Sequence, residues 1–165
     1  MNQTLYHRVR CEANTLSGSP CSRNTIKHAR YCWQHTKQHL GVHVKTSTIP
    51  NAGQGLFASR DLNEGTRIQY ARPEDYLTRA QVEQRYGNRR GDYVVCEGNH
   101  CLDARSTQSG HGRYTNDARN THKRSNSRLT VYHQGGQVRG NVRLTKKVKA
   151  GQEILTSYGR SYWGE

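Results

Sequence analysis

Three cysteines and one histidine fall within 25 residues near the start of the chain: Cys11, Cys21, Cys32 and His35. No other feature limits the fold so tightly. Three thiolates and an imidazole suit tetrahedral zinc, and a closed four-ligand site is structural. Cys32 and His35 are three apart, so on one helical turn they face the same way. Gly18 and Pro20 mark a turn just before Cys21. The gaps between the cysteines are longer than common finger spacings. Buried thiols beside a surface histidine therefore stand as the alternative.

A metal staple matters here because the aliphatic content is small. Leu, Ile, Val and Phe supply only 25 of 165 residues, and the net charge is +14. Composition alone would place such a chain among disordered ones. Ten Tyr and two Trp add buried area which that rule leaves out, and the segments below are patterned. We therefore expect a folded domain with a thin core. No run approaches about 18 apolar residues, so no membrane span is expected. The N-terminus is polar and shows no secretory signal. An intracellular protein is expected, with its five cysteines as metal ligands or free thiols rather than disulfides.

The first 40 residues, with Arg10-Cys11, Ser17-Gly18, Cys21 and Tyr31-Cys32-Trp33-Gln34-His35, resemble a small zinc-binding module. Its basic residues outnumber its one acid, Glu12, which suits a nucleic-acid contact and an ordinary solvated face equally. Residues 41–165 form the second unit. Val42 and Val44 alternate with polar neighbours, as in a short strand. Gly53 and Gly55 allow a tight turn or a close approach of backbone to a ligand. Asn63-Glu64-Gly65 turns into a strand from Thr66 to Tyr70. Asp75 to Tyr86 reads as a helix, stopped by Gly87-Asn88. Tyr93–Cys96 and His100–Asp103 read as paired strands around the turn Glu97-Gly98-Asn99. Cys96 and Cys101 are read as plain strand positions rather than as ligands of a second metal with His100. Leu129 to Leu144 reads as a hairpin around Gly135-Gly136. From Ala118 to Gln152 there are nine Lys or Arg and no acid. That run fits phosphate contact and a charge-guarded edge strand equally well.

The ordered pieces Ala52-Gly53-Gln54-Gly55-Leu56-Phe57-Ala58, Arg60-Asp61-Leu62, Glu64-Gly65, Arg113-Tyr114-Thr115-Asn116, Gly151-Gln152-Glu153-Ile154-Leu155 and Tyr158-Gly159 resemble the SET domain. Each is weak alone; their order and spacing carry the resemblance. The size and the ending Tyr158-Gly159-Arg160-Ser161-Tyr162-Trp163 most resemble the minimal SET methyltransferases of large DNA viruses. One departure stands out. Asp117, Ala118 and Arg119 replace the usual His-Ser-Cys.

The resemblance implies a mostly β fold of small curled sheets, a short helix and a C-terminal segment threaded through a loop. It implies methyl transfer from S-adenosylmethionine to a protein lysine, a histone being the commonest family substrate. Tyr158 and Tyr70 match the catalytic channel positions. Gly53, Gln54, Gly55, Leu56, Arg113, Tyr114, Asn116, Asp117, Tyr158 and Trp163 match cofactor-binding positions, with Asp117 contributing its main chain. Leu129 falls near a further channel position. No cysteine-rich segment follows Tyr158, so closure of the channel falls to Tyr162, Trp163, the zinc module or a second subunit in a homodimer. The charge suits docking on nucleosomal DNA in the nucleus while a local acidic patch takes the tail. The rival reading is an inactive SET-like zinc protein that binds nucleic acid or chromatin.

Overall fold

The computed structural model describes residues 8–26, 31–87, 89 and 91–159. The N-terminal unit is built around its cysteines. Strands β1 (Arg8–Arg10) and β2 (Asn24–Ile26) pair antiparallel. Beside them Cys11, Ala13, Cys21 and Cys32 form a buried cluster separate from the main core. Helix α1 (Trp33–Leu40) follows. Gly41 ends it in the left-handed conformation, φ 70°, which glycine reaches at little cost. The unit is docked by the helix end. Ser59 Oγ donates to the Lys37 carbonyl at 2.9 Å and Arg60 Nη1 to that of Gln38 at 2.7 Å. A cation is favoured at that end of the helix dipole.

The remaining strands are β3 (Val42–Thr46), β4 (Gln54–Ala58), β5 (Arg67–Ala71), β6 (Tyr76–Thr78), β7 (Val94–Glu97), β8 (His100–Asp103), β9 (Asn116–Asp117), β10 (Ser127–Gln134), β11 (Gln137–Leu144) and β12 (Glu153–Thr156). They form three small sheets, ordered β3-β4-β12-β9, β10-β11-β5 and β6-β8-β7. Val42, Leu56, Leu102, Val142, Leu144, Val148 and Ile154 are fully buried between them. The hairpin turns at Gly135-Gly136 as expected, with Gln134 opposite Gln137.

The C-terminal strand is held from several directions. β12 pairs antiparallel with β4 and parallel with β9. The chain then leaves β9 and returns at Asn126, whose N–H donates to the Leu155 carbonyl at 3.0 Å. Asn126 Oδ1 accepts from the Leu155 N–H at 2.9 Å. No helix of the described residues is long and apolar enough to cross a membrane.

Two expectations are corrected. The helix expected from Asp75 begins only at Arg79, as α2 (Arg79–Tyr86). Tyr76–Thr78 are drawn into the sheet opposite Leu102–His100. Thr78 then caps the helix, its hydroxyl taking the Gln81 N–H while Gln81 Oε1 takes the Thr78 N–H. The second correction concerns sulfur. Cys96 and Cys101 are disulfide-bonded, not plain strand positions. The turn between β7 and β8 is Gly98-Asn99, one residue shorter than expected, and that register sets Cys96 opposite Cys101.

Candidate functional site

The site is assembled by the segment 110–117. Gly110 and Gly112 press it against β5. A Cβ at Gly110 would lie 2.3 Å from the Gln69 carbonyl oxygen, and one at Gly112 would lie 2.9 Å from it. Only glycine permits that approach. Arg113 follows and is buried. Its Nε donates to the Ala104 carbonyl at 2.8 Å and its Nη2 to the Arg105 carbonyl at 3.1 Å. The guanidinium also lies 4.2 Å from the Tyr93 ring centre and 4.8 Å from that of Tyr114. Arg113 therefore acts as a strut, its charge balanced by carbonyl dipoles and ring faces.

That strut positions one wall of a narrow cavity of about 50 Å³. Tyr70 on β5, Tyr93, Val94 and Val95 at β7, Leu129 on β10, Thr115 and Tyr158 line it, with Asp92 beside them. The two tyrosines singled out from sequence therefore meet. Both phenols are fixed. Tyr70 donates to the Tyr93 carbonyl at 2.7 Å, and Tyr158 donates to the Thr115 carbonyl at 2.8 Å. Sequence reading missed Tyr93, Asp92 and Thr115. The Tyr93-Val94-Val95 run was visible as a strand, but the cavity it faces arises from pairing across the chain.

A second convergence brings Asn116 to the glycine-rich turn. Asn116 Nδ2 donates to the Gln54 carbonyl at 2.9 Å, across 62 residues of sequence. Gly53 adopts φ 70° and Gly55 is buried. Leu56 does not reach the corner as expected: it is fully buried, main chain included, in β4 between β3 and β12. Glu153 supports this corner. Its carboxylate accepts from Ser47 Oγ at 2.6 Å, from the Thr48 N–H at 2.9 Å and from Thr48 Oγ1. Burial works to raise its pKa. Hydrogen bonds from Ser47, Thr48 and Asn116 outweigh it and hold the carboxyl below the ordinary glutamate value. A Cβ at Gly55 would lie 2.3 Å from Glu153 Oε1. Glu153 is the first acid after Asp117, beyond the basic run, and it sits in the Gly-x-Glu piece of the SET resemblance, but no role was expected of it.

Asp117 does more than its main chain suggested. It is buried, and Oδ2 accepts from the Tyr158 N–H at 2.8 Å while Oδ1 accepts from the Arg119 N–H at 2.7 Å. Tyr114 packs partly buried against the core. Trp163 and Tyr162 lie outside the described residues.

At the N-terminal unit, the ligand atoms of Cys11, Cys21, Cys32 and His35 lie within 4.8 Å of one another, all buried. His35 Nδ1 is 3.3 Å from the sulfurs of both Cys11 and Cys32. Ordinary zinc bond lengths at tetrahedral angles put such a pair about 3.5 Å apart. The donor set and spacing fit zinc, with Nδ1 as the imidazole ligand.

Residues 53–159 match the SET domain family model. This chain belongs to the SET-domain family. Comparison with the sequences of curated proteins gives no match. Among solved structures, this SET domain is similar to the Chaetomium thermophilum Polycomb Repressive Complex 2 in an autoinhibited conformation bound to S-adenosylmethionine. The identity is 23%, over 72% of this chain and 15% of that one, with TM-score 0.55. A humanized mutant of that complex bound to the inhibitor GSK343 gives 24% identity over the same shares and TM-score 0.56. An active polycomb repressive complex 2 in the stimulated state gives 22%, 72% of this chain, 15% of that chain and 0.56. These identities establish the fold. The chain spans about 15% of the length of those relatives.

Proposed function

We propose that this SET domain is a protein-lysine N-methyltransferase that uses S-adenosylmethionine and acts on a histone. The observation that carries the reading is the cavity of about 50 Å³ between Tyr70 and Tyr158. It suits an unbranched alkyl amine and little else. A free lysine titrates near ~10.4, and only its neutral form is a nucleophile. Tyrosine rings, Val94, Val95 and Leu129 give the amine a poorly solvated channel, which favours the neutral state. Asp92 is exposed at this cavity, an acid placed to draw in a cationic side chain on a protein of charge +14.

The cofactor supplies an activated methyl group when bound. Residues proposed to hold it are the main chain from Gly53 to Gly55, Tyr114, Asn116, the main chain of Asp117, Tyr158 and Trp163. The fit rests on Asn116 meeting Gln54, which joins the two halves of that set at one corner. Arg113 contributes by bracing Tyr93 and Tyr114. Tyr158 is a catalytic residue in this reading. Its proton is already given to the Thr115 carbonyl, so the phenol oxygen can accept from or polarise what enters the channel. It is not a general base. The zinc module, residues 1–40, would hold one structural zinc through Cys11, Cys21, Cys32 and His35. Chromatin is the proposed location, with nucleosomal DNA meeting the basic surface.

The test uses intact protein, histones, nucleosomes and labelled methyl donor. Wild type should methylate, and Tyr158→Phe should lose most turnover with cofactor affinity and Tm nearly unchanged. No labelling by wild type, or equal activity of Tyr158→Phe, would overturn the assignment.

A further inference from the structure

We infer that Asp117 is the positioning residue for Tyr158, its carboxylate setting where the phenol sits; this rests on the proposed role of Tyr158 for its catalytic consequence. β12 and β9 pair in parallel only at Leu155–Asn116 and Thr156–Asp117. Main-chain bonding between the segments reaches the Ala118 N–H, which donates to the Thr156 carbonyl at 3.1 Å. The next rung is made by a side chain. Asp117 Oδ2 takes the Tyr158 N–H, and Thr115, two residues earlier, takes the Tyr158 phenol. One short segment thus grips Tyr158 at both its backbone and its hydroxyl.

The two carboxylate oxygens have separate duties. Oδ1 takes the Arg119 N–H, which turns the chain away from β9. Two N–H donors aimed at two different oxygens require a group that only accepts. A carboxylate meets that demand, whereas an amide offers one oxygen and one NH2. Asp117 is buried, so either N–H left without an acceptor would be poorly compensated by water. The aspartate at this position, where the family usually has histidine, is therefore read as a change in how the tail is held.

The experiment measures amide exchange at Tyr158 by NMR in wild type, Asp117→Asn and Asp117→Ala, all at one pH. Loss of a bond to a charged acceptor predicts exchange at Tyr158 faster by roughly tenfold or more, with Ile154 and Leu155 unchanged. That readout needs no turnover, so it stands or falls apart from the proposed activity. Turnover supplies the second arm. Asp117→Ala should lower kcat severalfold. The same substitution in a Tyr158→Phe background should cost much less, because the two residues act as a unit. If Asp117→Ala does not fold, Asp117→Asn, which keeps the shape and one acceptor, carries the exchange measurement. An unchanged Tyr158 amide, or equal kcat losses with and without the phenol, overturns the inference.

Discussion

Replacing Glu153 by Gln tests the corner that joins the glycine-rich turn to Asn116. The change keeps the shape and removes the charge. Donors from Ser47, Thr48 and Asn116 face the carboxylate, Thr48 supplying two. A bond to a charged acceptor contributes about 1 kcal/mol more than one to a neutral acceptor. Relief from burying a charge offsets part of the loss. The expected cost is therefore about 1–3 kcal/mol at neutral pH, or a Tm lower by about 2–12 °C for a chain of this size. The pH dependence separates this account from simple repacking. The carboxyl titrates below its ordinary value of 4.5 in the folded state. Its stabilisation is then fully present above that value and lost as pH falls through the folded pKa. Urea unfolding of wild type and Glu153→Gln should diverge at pH 7 and converge as the pH falls through the folded pKa, below the ordinary glutamate value. Other groups titrate in both proteins and cancel in the difference. A gap under about 0.5 kcal/mol at pH 7, or one that persists unchanged in acid, refutes the reasoning.

Metal analysis of protein purified without added zinc should find one equivalent, and Cys32→Ser should lose it along with much of the N-terminal unit's stability; an unchanged content removes the zinc site. Asn116→Ala should weaken S-adenosylmethionine binding by about ten- to a hundredfold, read by calorimetry, with an unchanged Kd counting against the cofactor site. If Lys146, Lys147 and Lys149 meet phosphates, DNA affinity should fall steeply between two salt concentrations. Lys147 already pairs with Asp61 at 3.0 Å, so a flat response would return this run to solvated surface.

The elements legible in the sequence were those fixed by local chemistry. Gly135-Gly136 announced its hairpin, and Val42 and Val44 their strand. Most of the misses turned on partners far along the chain. Pro73-Glu74-Asp75 looks like a helix start because nothing local reveals that Tyr76–Thr78 will pair with His100–Leu102. Thr78 and Gln81, a capping pair, were the overlooked signal for the true start. The disulfide was lost to a single residue. With a three-residue turn Cys96 would face His100, and with the two-residue turn it faces Cys101. Asp117 was read for its main chain alone, because the acceptor role of its side chain depends on Tyr158, 41 residues away.

The same distances explain how so thin a core can hold a defined site. The buried aliphatic residues lie between the sheets, but the channel and the cofactor corner are set by directed bonds: Tyr158 to Thr115 across 43 residues, Asn116 to Gln54 across 62, and Ser47 to Glu153 across 106. Apolar contacts favour burial without fixing orientation. A hydrogen bond fixes both partner and direction, and weakens steeply once misaligned. The core therefore holds the sheets together, while a few long-range polar bonds select the one arrangement in which Tyr70 and Tyr158 line the same cavity. Loss of one such bond should loosen the site more than it unfolds the chain.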